Sequence, residues 1–332
     1  MASKKDVKEC TLIMQKLLNV MRTNIELTEF LIKFLKNFRK CENRELMSDA
    51  INVLFTEDCF FTKDNLSLFK RKIKEIVPPK CMQGKELDLK NLYNEMFIGS
   101  GGFSVVFLCE YINDNKKTKV AVKKLDTFLI NSEDMMTEVY IMCKLSHPNL
   151  LPIIGYNLKG YVIITPFMKY GQLFEVCQLT HSNKQLYKYL IDVIDGLAYL
   201  HDNKYIHRDL TVRNVLVDDK KNCKIGDFGL VVKVGKKGMF YSERHIYAYH
   251  LAPETSKTQI FSLFSDVFSL GVLIWEVMSC PNILFLPDLE YPEKTERCPE
   301  ALFDVIQKSL ASNPKDRPAL KQIKDCVETL LK

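Results

Sequence analysis

Apolar residues recur with helical spacing through the N-terminal part of the chain. Four segments, starting near Leu12, Ile25, Leu46 and Thr62, each carry apolar side chains about every 3.6 residues. A helix with one apolar stripe must bury that stripe against a neighbour. The pattern therefore predicts a small all-α bundle over residues 1–77.

A different pattern follows residues 78–90, a stretch with prolines and a glycine that predicts a linker. Short apolar runs typical of strands occupy residues 91–168, and long amphipathic segments typical of helices occupy residues 169–332. Strands first and helices afterwards predict an α+β enzyme, with a β-rich small lobe followed by a helical large lobe.

The bulk composition agrees with more than one folded unit. At 332 residues the chain exceeds what one hydrophobic core usually holds. It is 47% hydrophobic and 27% charged, as in ordinary globular proteins. Most of the net charge of +6 comes from residues 1–80, and we interpret it as the solvated faces of basic helices. No nucleic-acid partner is expected.

Cysteine usage and the N-terminus bear on location. The 11 cysteines are scattered singly, without Cys-x-x-Cys or Cys/His spacing. That favours free thiols in a reducing compartment over a disulfide framework or a zinc site. The polar start and the lack of any apolar run of about 18 residues predict neither a secretion signal nor a membrane span. The expected location is the cytoplasm.

The first stretch that suggests chemistry is glycine-rich, Gly99-Ser100-Gly101-Gly102-Phe103-Ser104. Glycines allow a turn to close over phosphate groups and to present backbone amides to them. Dinucleotide-binding folds use a similar pattern, but in them a helix follows the glycines directly. Here a strand-like run, residues 105–108, follows, which favours a β-hairpin lid.

Further motifs follow in order. They are Val120-Ala121-Val122-Lys123, His207-Arg208-Asp209 with Asn214, Asp227-Phe228-Gly229, Ala252-Pro253-Glu254, Asp266 and Arg317. With the glycine-rich stretch they extend over roughly 230 residues and resemble the eukaryotic protein kinases. The resemblance implies the two-lobed protein kinase fold after the all-α bundle. It also implies a reaction in which ATP donates its γ-phosphate to a hydroxyl of a protein substrate.

The resemblance assigns catalytic and metal-binding roles. Asp209 would accept the proton of the substrate hydroxyl, and Asn214 and Asp227 would hold Mg²⁺. Asp266 would support the catalytic loop from below. A kinase-like scaffold without activity usually lacks one of the key residues, whereas this chain retains them. Active catalysis is therefore favoured over a scaffold.

Lys123 would hold the α and β phosphates of ATP and would need a carboxylate to orient it. The candidates are Glu133, Asp134 and Glu138. Glu138 is favoured because its distance from the His147 turn matches the spacing that the kinase family shows.

The same resemblance predicts the nucleotide site. Adenine would bond to the backbone of the hinge near Pro166 and Met168, since Pro166 lacks an amide hydrogen but keeps its carbonyl. The small Ser104, in place of a third glycine, predicts a stiffer lid. The residues predicted to contact ATP are Gly99, Ser100, Gly101, Gly102, Phe103, Ser104, Val106, Ala121, Lys123, Thr165, Pro166, Met168 and Leu216.

Residues 230–251 correspond to the activation loop of this family. A phosphate on this loop would pair with Arg208 and order the loop, because each phosphate adds nearly two negative charges. The predicted phosphate-accepting residues are Tyr241, Ser242, Tyr247 and Tyr249.

Two residues of the catalytic loop bear on which hydroxyl is phosphorylated. Ser/Thr kinases generally carry Lys at the position of Thr211, and tyrosine kinases carry Arg at the position of Arg213. Arg213 thus favours a tyrosine kinase. Two features favour a Ser/Thr kinase instead: residues 250–251 lack the Trp typical of tyrosine kinases, and the lid is similar to that of the tyrosine-kinase-like Ser/Thr group. Tyrosine or dual specificity is favoured, with Arg213 in a catalytic role, and a Ser/Thr kinase of that group is the alternative.

The order of helices in residues 1–77 loosely resembles a death-fold adaptor module, death-effector-like or CARD-like. A generic helical bundle, or a brace on the kinase domain, is the alternative. A module of this kind would support homotypic or adaptor interactions.

Only 41 residues separate Trp275 from Arg317, fewer than the family leads us to expect. A reduced substrate-docking helix there would move partner choice to the N-terminal bundle.

Overall fold

The computed structural model describes residues 80–113, 116–130, 132–235, 238–243, 245–246, 248–280 and 293–332. The predicted bundle at residues 1–77, the loop residue Tyr247 and residues 281–292 lie outside the described residues. The architecture below is that of the unit Gly84–Lys332. None of the helices in the described ranges combines the length and the apolar character that a membrane crossing requires.

The small lobe is a five-stranded sheet with one helix. Its elements are β1 (Leu92–Gly101), β2 (Ser104–Asn113), β3 (Lys116–Leu125), α1 (Ser132–Lys144), β4 (Gly155–Asn157) and β5 (Val162–Pro166). The strands lie in the order β1-β2-β3-β5-β4, and every neighbouring pair is antiparallel. Helix α1 follows β3 and supplies one wall of the cavity described below.

Alternation along β3 separates the core of this sheet from its functional face. Val120 and Val122 are fully buried, in one cluster with Cys109 and with Ile164 of β5. Successive side chains of a strand point to opposite faces. Lys123 therefore projects from the other face of β3, away from this core.

Residues 84–91 lie along strand β4. The Leu87 amide donates to the Tyr156 carbonyl at 2.8 Å, and the Tyr156 amide donates to the Lys85 carbonyl at 2.9 Å. The Leu87 side chain packs so closely that no Cβ atom would fit at Gly155. This end of the stretch predicted as a linker is thus hydrogen-bonded to the sheet.

The large lobe is mostly helical and carries short strand pairs. Its elements are β6 (Gly171–Gln172), α2 (Leu173–Leu179), α3 (Asn183–Asp202), β7 (Tyr205–Ile206), β8 (Val215–Val217), β9 (Cys223–Ile225), β10 (Val232–Lys233), β11 (Met239–Tyr241), α4 (Pro253–Thr258), β12 (Ile260–Ser262), α5 (Leu263–Ser279), α6 (Glu300–Ser309) and α7 (Leu320–Leu331). The pairings are β6-β8-β9, β7-β10 and β11-β12. Short 3₁₀ turns of this lobe occur at Phe228–Leu230 and Pro314–Asp316.

Helices α3 and α5 are the buried frame of this lobe. Helix α3 begins after Ser182, whose side chain accepts a hydrogen bond from the Gln185 amide. A Cβ atom at Gly196 in α3 would lie 2.8 Å from the Asn149 carbonyl, so glycine permits the close approach. Helix α5 is apolar and buried on nearly all sides, as expected of a helix enclosed by its neighbours.

The predicted order of a β-rich lobe followed by a helical lobe is confirmed. Strand β5 ends the small lobe at Pro166, and β6 begins the large lobe at Gly171. The chain crosses once between them, so the motif residues come together from both sides of this crossing.

Candidate active site

A cavity of about 460 Å³ lies between the two lobes. Its size is within the range of small-molecule sites. Residues from the sheet, from helix α1 and from the segments around β8 and β9 contribute to its wall. The predicted ATP-contacting residues that line it are Gly99, Ser100, Gly101, Ser104, Val106, Ala121, Lys123, Thr165, Pro166, Met168 and Leu216.

The glycine-rich stretch forms the turn between β1 and β2. The strands remain paired as far as Gly101 and Ser104, which leaves Gly102 and Phe103 as the turn itself. The hairpin lid predicted from the sequence is confirmed, and the helix required by the dinucleotide alternative is not formed. Gly102 and Phe103 do not line the cavity, and the Phe103 side chain is exposed.

Lys123 contacts two carboxylates that come from different elements. Its Nζ atom donates to Glu138 Oε1 at 2.8 Å and to Asp227 Oδ1 at 3.1 Å. Glu138 belongs to helix α1, and Asp227 follows strand β9. Of the three carboxylates considered for Lys123, the structure places Glu138 beside it.

The electrostatics of this triad favour a charged lysine. Burial acts to lower the pKa of Lys123, but the two facing carboxylates outweigh burial and hold that pKa above its ordinary value. Burial raises the pKa of Glu138, and the Lys123 ammonium opposes that shift. The charge on Glu138 therefore depends on its contact with Lys123.

Asp209 and Asn214 pair within the loop that follows β7. Asn214 Nδ2 donates to Asp209 Oδ2 at 2.7 Å and to the Asp209 carbonyl at 2.8 Å. The Gly226 amide donates to the Asn214 carbonyl at 2.7 Å. These bonds fix the loop to the segment that carries Asp227.

His250 lies against the other carboxylate oxygen of Asp209. Its Nε2 atom is 3.0 Å from Asp209 Oδ1. Burial acts to raise the pKa of Asp209, but His250 and the Asn214 amide outweigh burial, and the pKa lies below its usual range. Asp209 is therefore ionised at neutral pH and can accept a proton.

Asp266 of helix α5 supports the loop from below. Its carboxylate accepts the His207 amide at 2.8 Å and the Arg208 amide at 3.0 Å, and His201 Nε2 lies 3.0 Å from it. Arg208 has φ of 73°, a left-handed conformation that is unfavourable for a residue with a side chain. The buried carboxylate holds this strained backbone in place directly before Asp209.

Asn214 and Asp227 present the oxygen ligands that Mg²⁺ prefers. Because the Asn214 amide nitrogen makes both bonds to Asp209, its side-chain oxygen is left to face elsewhere. Within the described residues no three His, Cys, Asp or Glu side chains converge into a metal site. A magnesium ion at Asn214 and Asp227 would take its further ligands from phosphate oxygens and water.

The predicted hinge residues lie at the end of strand β5 and directly after it. Thr165 of β5 is buried and pairs with Ala121 of β3. Pro166 and Met168 line the cavity, and the Met168 carbonyl accepts the Gly171 amide at 3.1 Å. The chain thus turns directly into β6 after passing the cavity.

Residues 92–327 match the family described as protein tyrosine and serine/threonine kinase. The chain belongs to that kinase family. Tyrosine-protein kinase hopscotch of Drosophila melanogaster is 33% identical over 262 residues, which are 71% of this chain and 22% of hopscotch.

Two further relatives are also tyrosine-protein kinases. Csk-1 of Caenorhabditis elegans is 31% identical over 250 residues, 70% of this chain and 46% of its own length. SRK3 of Spongilla lacustris is 30% identical over 263 residues, 73% of this chain and 77% of its own length. The chain thus spans less than half the length of hopscotch and csk-1.

Of the predicted phosphate acceptors in the activation segment, Tyr241 is exposed, Ser242 is buried and Tyr249 is partly buried. Tyr241 on β11 is 61% exposed, whereas Ser242 is 5% exposed and accepts a hydrogen bond from Arg208 Nη2 at 3.0 Å. Tyr249 Oη donates to Glu276 Oε1 at 2.7 Å. The Arg208 guanidinium lies between the rings of Phe240 and Phe261, and burial lowers its pKa to about 10 against the opposing effect of Asp266.

Arg213 and Thr211 differ in exposure on the kinase loop. Arg213 lines the cavity, and its guanidinium lies 5.0 Å from the centroid of the Phe174 ring. Thr211 is buried. Of the two residues that bear on hydroxyl specificity, only Arg213 reaches the cavity.

The sequence reasoning missed further residues in and around the kinase site, among them Ile98, Glu276 and His250. Ile98 lines the cavity, and its place directly before Gly99 could have indicated it. Glu276 is a buried carboxylate in the apolar helix α5, and such an acid signals a buried partner. No local signal indicated His250, because its contact with Asp209 depends on how the activation segment folds back.

Proposed function

We propose that this chain is an active protein kinase that transfers the γ-phosphate of ATP to tyrosine hydroxyls of proteins. The observation that carries the proposal is the convergence of Lys123, Glu138, Asp227, Asp209 and Asn214, from both lobes, on one cavity. Lys123 is charged and suits phosphate oxygens. Asp209 is ionised and suits the role of proton acceptor for the attacking hydroxyl.

The remaining roles follow from the geometry of the cavity. The hinge residues would contact adenine, and the glycine-rich hairpin would cover the phosphates. Asn214 and Asp227 would hold Mg²⁺, which neutralises charge on the phosphates when bound. Orientation of the donor against the acceptor supplies much of the rate in phosphoryl transfer, and the rigid contacts of Asp266 support such orientation.

Tyrosine as the acceptor is supported by two observations. The relatives named above are tyrosine-protein kinases, and the loop carries Arg213 at the cavity while Thr211 replaces a lysine. Tyr has a longer reach than Ser or Thr, so the cation that faces the phosphate must sit differently. Dual specificity and the tyrosine-kinase-like Ser/Thr alternative are distinguished by the identity of the product.

A γ-phosphate transfer assay with phosphoamino-acid analysis tests the proposal. Wild type, Lys123→Met and Asp209→Asn would be compared on a mixed peptide library with ATP and magnesium, with exposed Asp202→Asn as the matched control. We expect phosphotyrosine from wild type and from the control. Lys123→Met and Asp209→Asn should lose about 100-fold or more of the transfer activity. Phosphoserine alone would assign the chain to the Ser/Thr alternative, and no incorporation would leave a kinase-like scaffold.

We further propose that phosphate on the activation segment regulates the kinase. Arg208 supports this, because its Nε atom is buried without a hydrogen-bond partner among the described residues, and Ser242 lies beside the guanidinium. A phosphate would supply an acceptor oxygen for this Nε–H group.

The N-terminal residues 1–77 are proposed to be a helical interaction module, death-fold-like in helix order, that selects partners. Their amphipathic periodicity supports this. Deleting residues 1–77 should abolish phosphorylation of partners in cells while activity on a generic peptide persists. Unchanged phosphorylation of partners would refute the module's role.

A cytoplasmic, reducing location is proposed because the eight cysteines in the described residues are free thiols.

A further inference from the structure

His250 is placed where it can act on the catalytic base of the proposed kinase reaction. It belongs to the end of the activation segment, three residues before helix α4. Its Nε2 atom lies 3.0 Å from Asp209 Oδ1, and its side chain is 5% exposed while that of Asp209 is 30% exposed. The imidazole therefore contacts Asp209 from the buried side, and solvent reaches the Asp209 carboxylate from the opposite side.

Both oxygens of the Asp209 carboxylate have a fixed neighbour. Asn214 Nδ2 holds Oδ2 at 2.7 Å, and His250 faces Oδ1. An ionised carboxylate offers roughly four acceptor positions. One contact to each oxygen therefore restricts rotation of the carboxylate and still leaves room for a hydroxyl on the exposed side.

The backbone around His250 is anchored independently of Asp209. The Ser269 hydroxyl of helix α5 donates to the His250 carbonyl at 2.9 Å. The neighbouring Tyr249 donates to Glu276 of the same helix and presents the edge of its ring to His250, with centroids 5.3 Å apart. The position of the imidazole is thus set by these contacts with helix α5 and not by Asp209.

Packing alone does not account for a histidine at this position. Neither ring nitrogen has an aligned hydrogen-bond partner among the described residues, although both are buried. A buried polar group without such a partner is unfavourable, and an apolar ring would fill the same space without that penalty. The contact that distinguishes histidine from an apolar ring is the one with Asp209.

We propose that His250 is a positioning residue, whose imidazole orients the Asp209 carboxylate toward the hydroxyl of the protein substrate. This role rests on the kinase function proposed above. Because His250 belongs to the activation segment, the Asp209 carboxylate is correctly oriented only when that segment is correctly placed. A segment that moves away from helix α5 would release one of the two contacts that fix the base.

Steady-state kinetics of full-length variants test this role. His250→Leu removes the imidazole, His250→Gln retains a side-chain N–H donor, and His181→Leu is the control, since His181 is exposed and does not line the cavity. We expect His250→Leu to lower kcat on a tyrosine peptide about 10- to 100-fold, with KM for ATP unchanged. His250→Gln should recover part of the loss, and the control should match wild type.

A double mutant separates positioning from a structural effect. If His250 acts through Asp209, adding His250→Leu to Asp209→Asn should lower kcat no further. An equal fold-loss in both backgrounds, or an active wild type with an unchanged His250→Leu, overturns the positioning role alone. A wild type that transfers no phosphate to any hydroxyl overturns the proposed function, and the positioning role with it.

A spectroscopic measurement covers the case in which His250→Leu does not fold. In the full-length protein, the ring ¹⁵N resonances of His250 should shift when Asp209 is replaced by Asn, because the facing charge is removed. The resonances of His181 serve as the internal reference. Ring resonances of His250 that stay in place would show that the contact with Asp209 does not exist, which overturns the proposal.

Discussion

Arg317 and Glu254 form a two-point ion pair that joins the start of helix α4 to the segment before helix α7. Nη1 lies 2.7 Å from Oε1, and Nη2 lies 2.7 Å from Oε2. The Arg317 side chain is 0% exposed, and it also donates to the carbonyls of Phe264 and Ala311. Four hydrogen bonds from one buried guanidinium hold the end of the activation segment against the large lobe.

Arg317→Met should strongly destabilise the kinase domain. The substitution leaves the partly buried Glu254 carboxylate unpaired and removes the donor of the Phe264 and Ala311 carbonyls, and we expect the free energy of unfolding to fall by about 3 kcal/mol. Chemical denaturation measures this change. The control is Lys315→Met, an exposed position two residues away, where the change should stay within about 0.5 kcal/mol. Similar losses in both variants would contradict the prediction.

Lys123→Met should abolish activity, whereas Lys124→Met should not. The Lys123 ammonium faces Glu138 and Asp227 in the cavity, and Lys124 pairs with Glu95 at 2.7 Å outside it. Loss of a positioned cation from a phosphoryl-transfer site should lower kcat/KM about 100- to 1,000-fold. Initial rates and nucleotide affinity measure the effect. A Lys124→Met variant that is equally impaired would mean that charge on β3 in general, and not this contact, is required.

Gly271→Ala should weaken the packing of helix α6 on helix α5. An added Cβ would lie 2.7 Å from the Ser309 Cβ and 3.4 Å from Leu310, so α6 must shift. The overpacking cost exceeds the gain in helix propensity, and we expect a net loss of about 1–2 kcal/mol by thermal or chemical unfolding. Gly235→Ala is the control, because nothing lies within 4 Å of its added Cβ. A Gly271→Ala variant of wild-type stability would refute the close approach.

Tyr241 should be the phosphorylated residue of the activation segment. It is exposed, whereas Ser242 is buried against Arg208 and Tyr249 is bonded to Glu276. Mass spectrometry of the purified protein after incubation with ATP and magnesium should place phosphate on Tyr241. Asp209→Asn, treated in the same way, should carry none if the reaction is self-catalysed. Phosphate on Ser242 or Tyr249 with Tyr241 unmodified would contradict this order.

Local features explain why much of this protein could be predicted. Residues that alternate along a strand face opposite sides, so a buried Val120 and Val122 require Lys123 on the other face. Asp209 and Asn214 are five residues apart on one loop, and their pairing needs no distant element. Where chemistry and local geometry are encoded within a few neighbouring positions, the order and type of residues are enough to indicate the fold class and the catalytic residues.

Contacts between distant segments required the folded chain. His250 meets Asp209 across 41 positions. The burial of Ser242 likewise depends on how the activation segment packs, and nothing in its immediate sequence indicates it. Such contacts form only when whole elements pack, and their energy comes from burial and charge compensation that no local propensity expresses. Residue order thus indicated Asp209 as the candidate catalytic base, and tertiary packing decided what holds it in place.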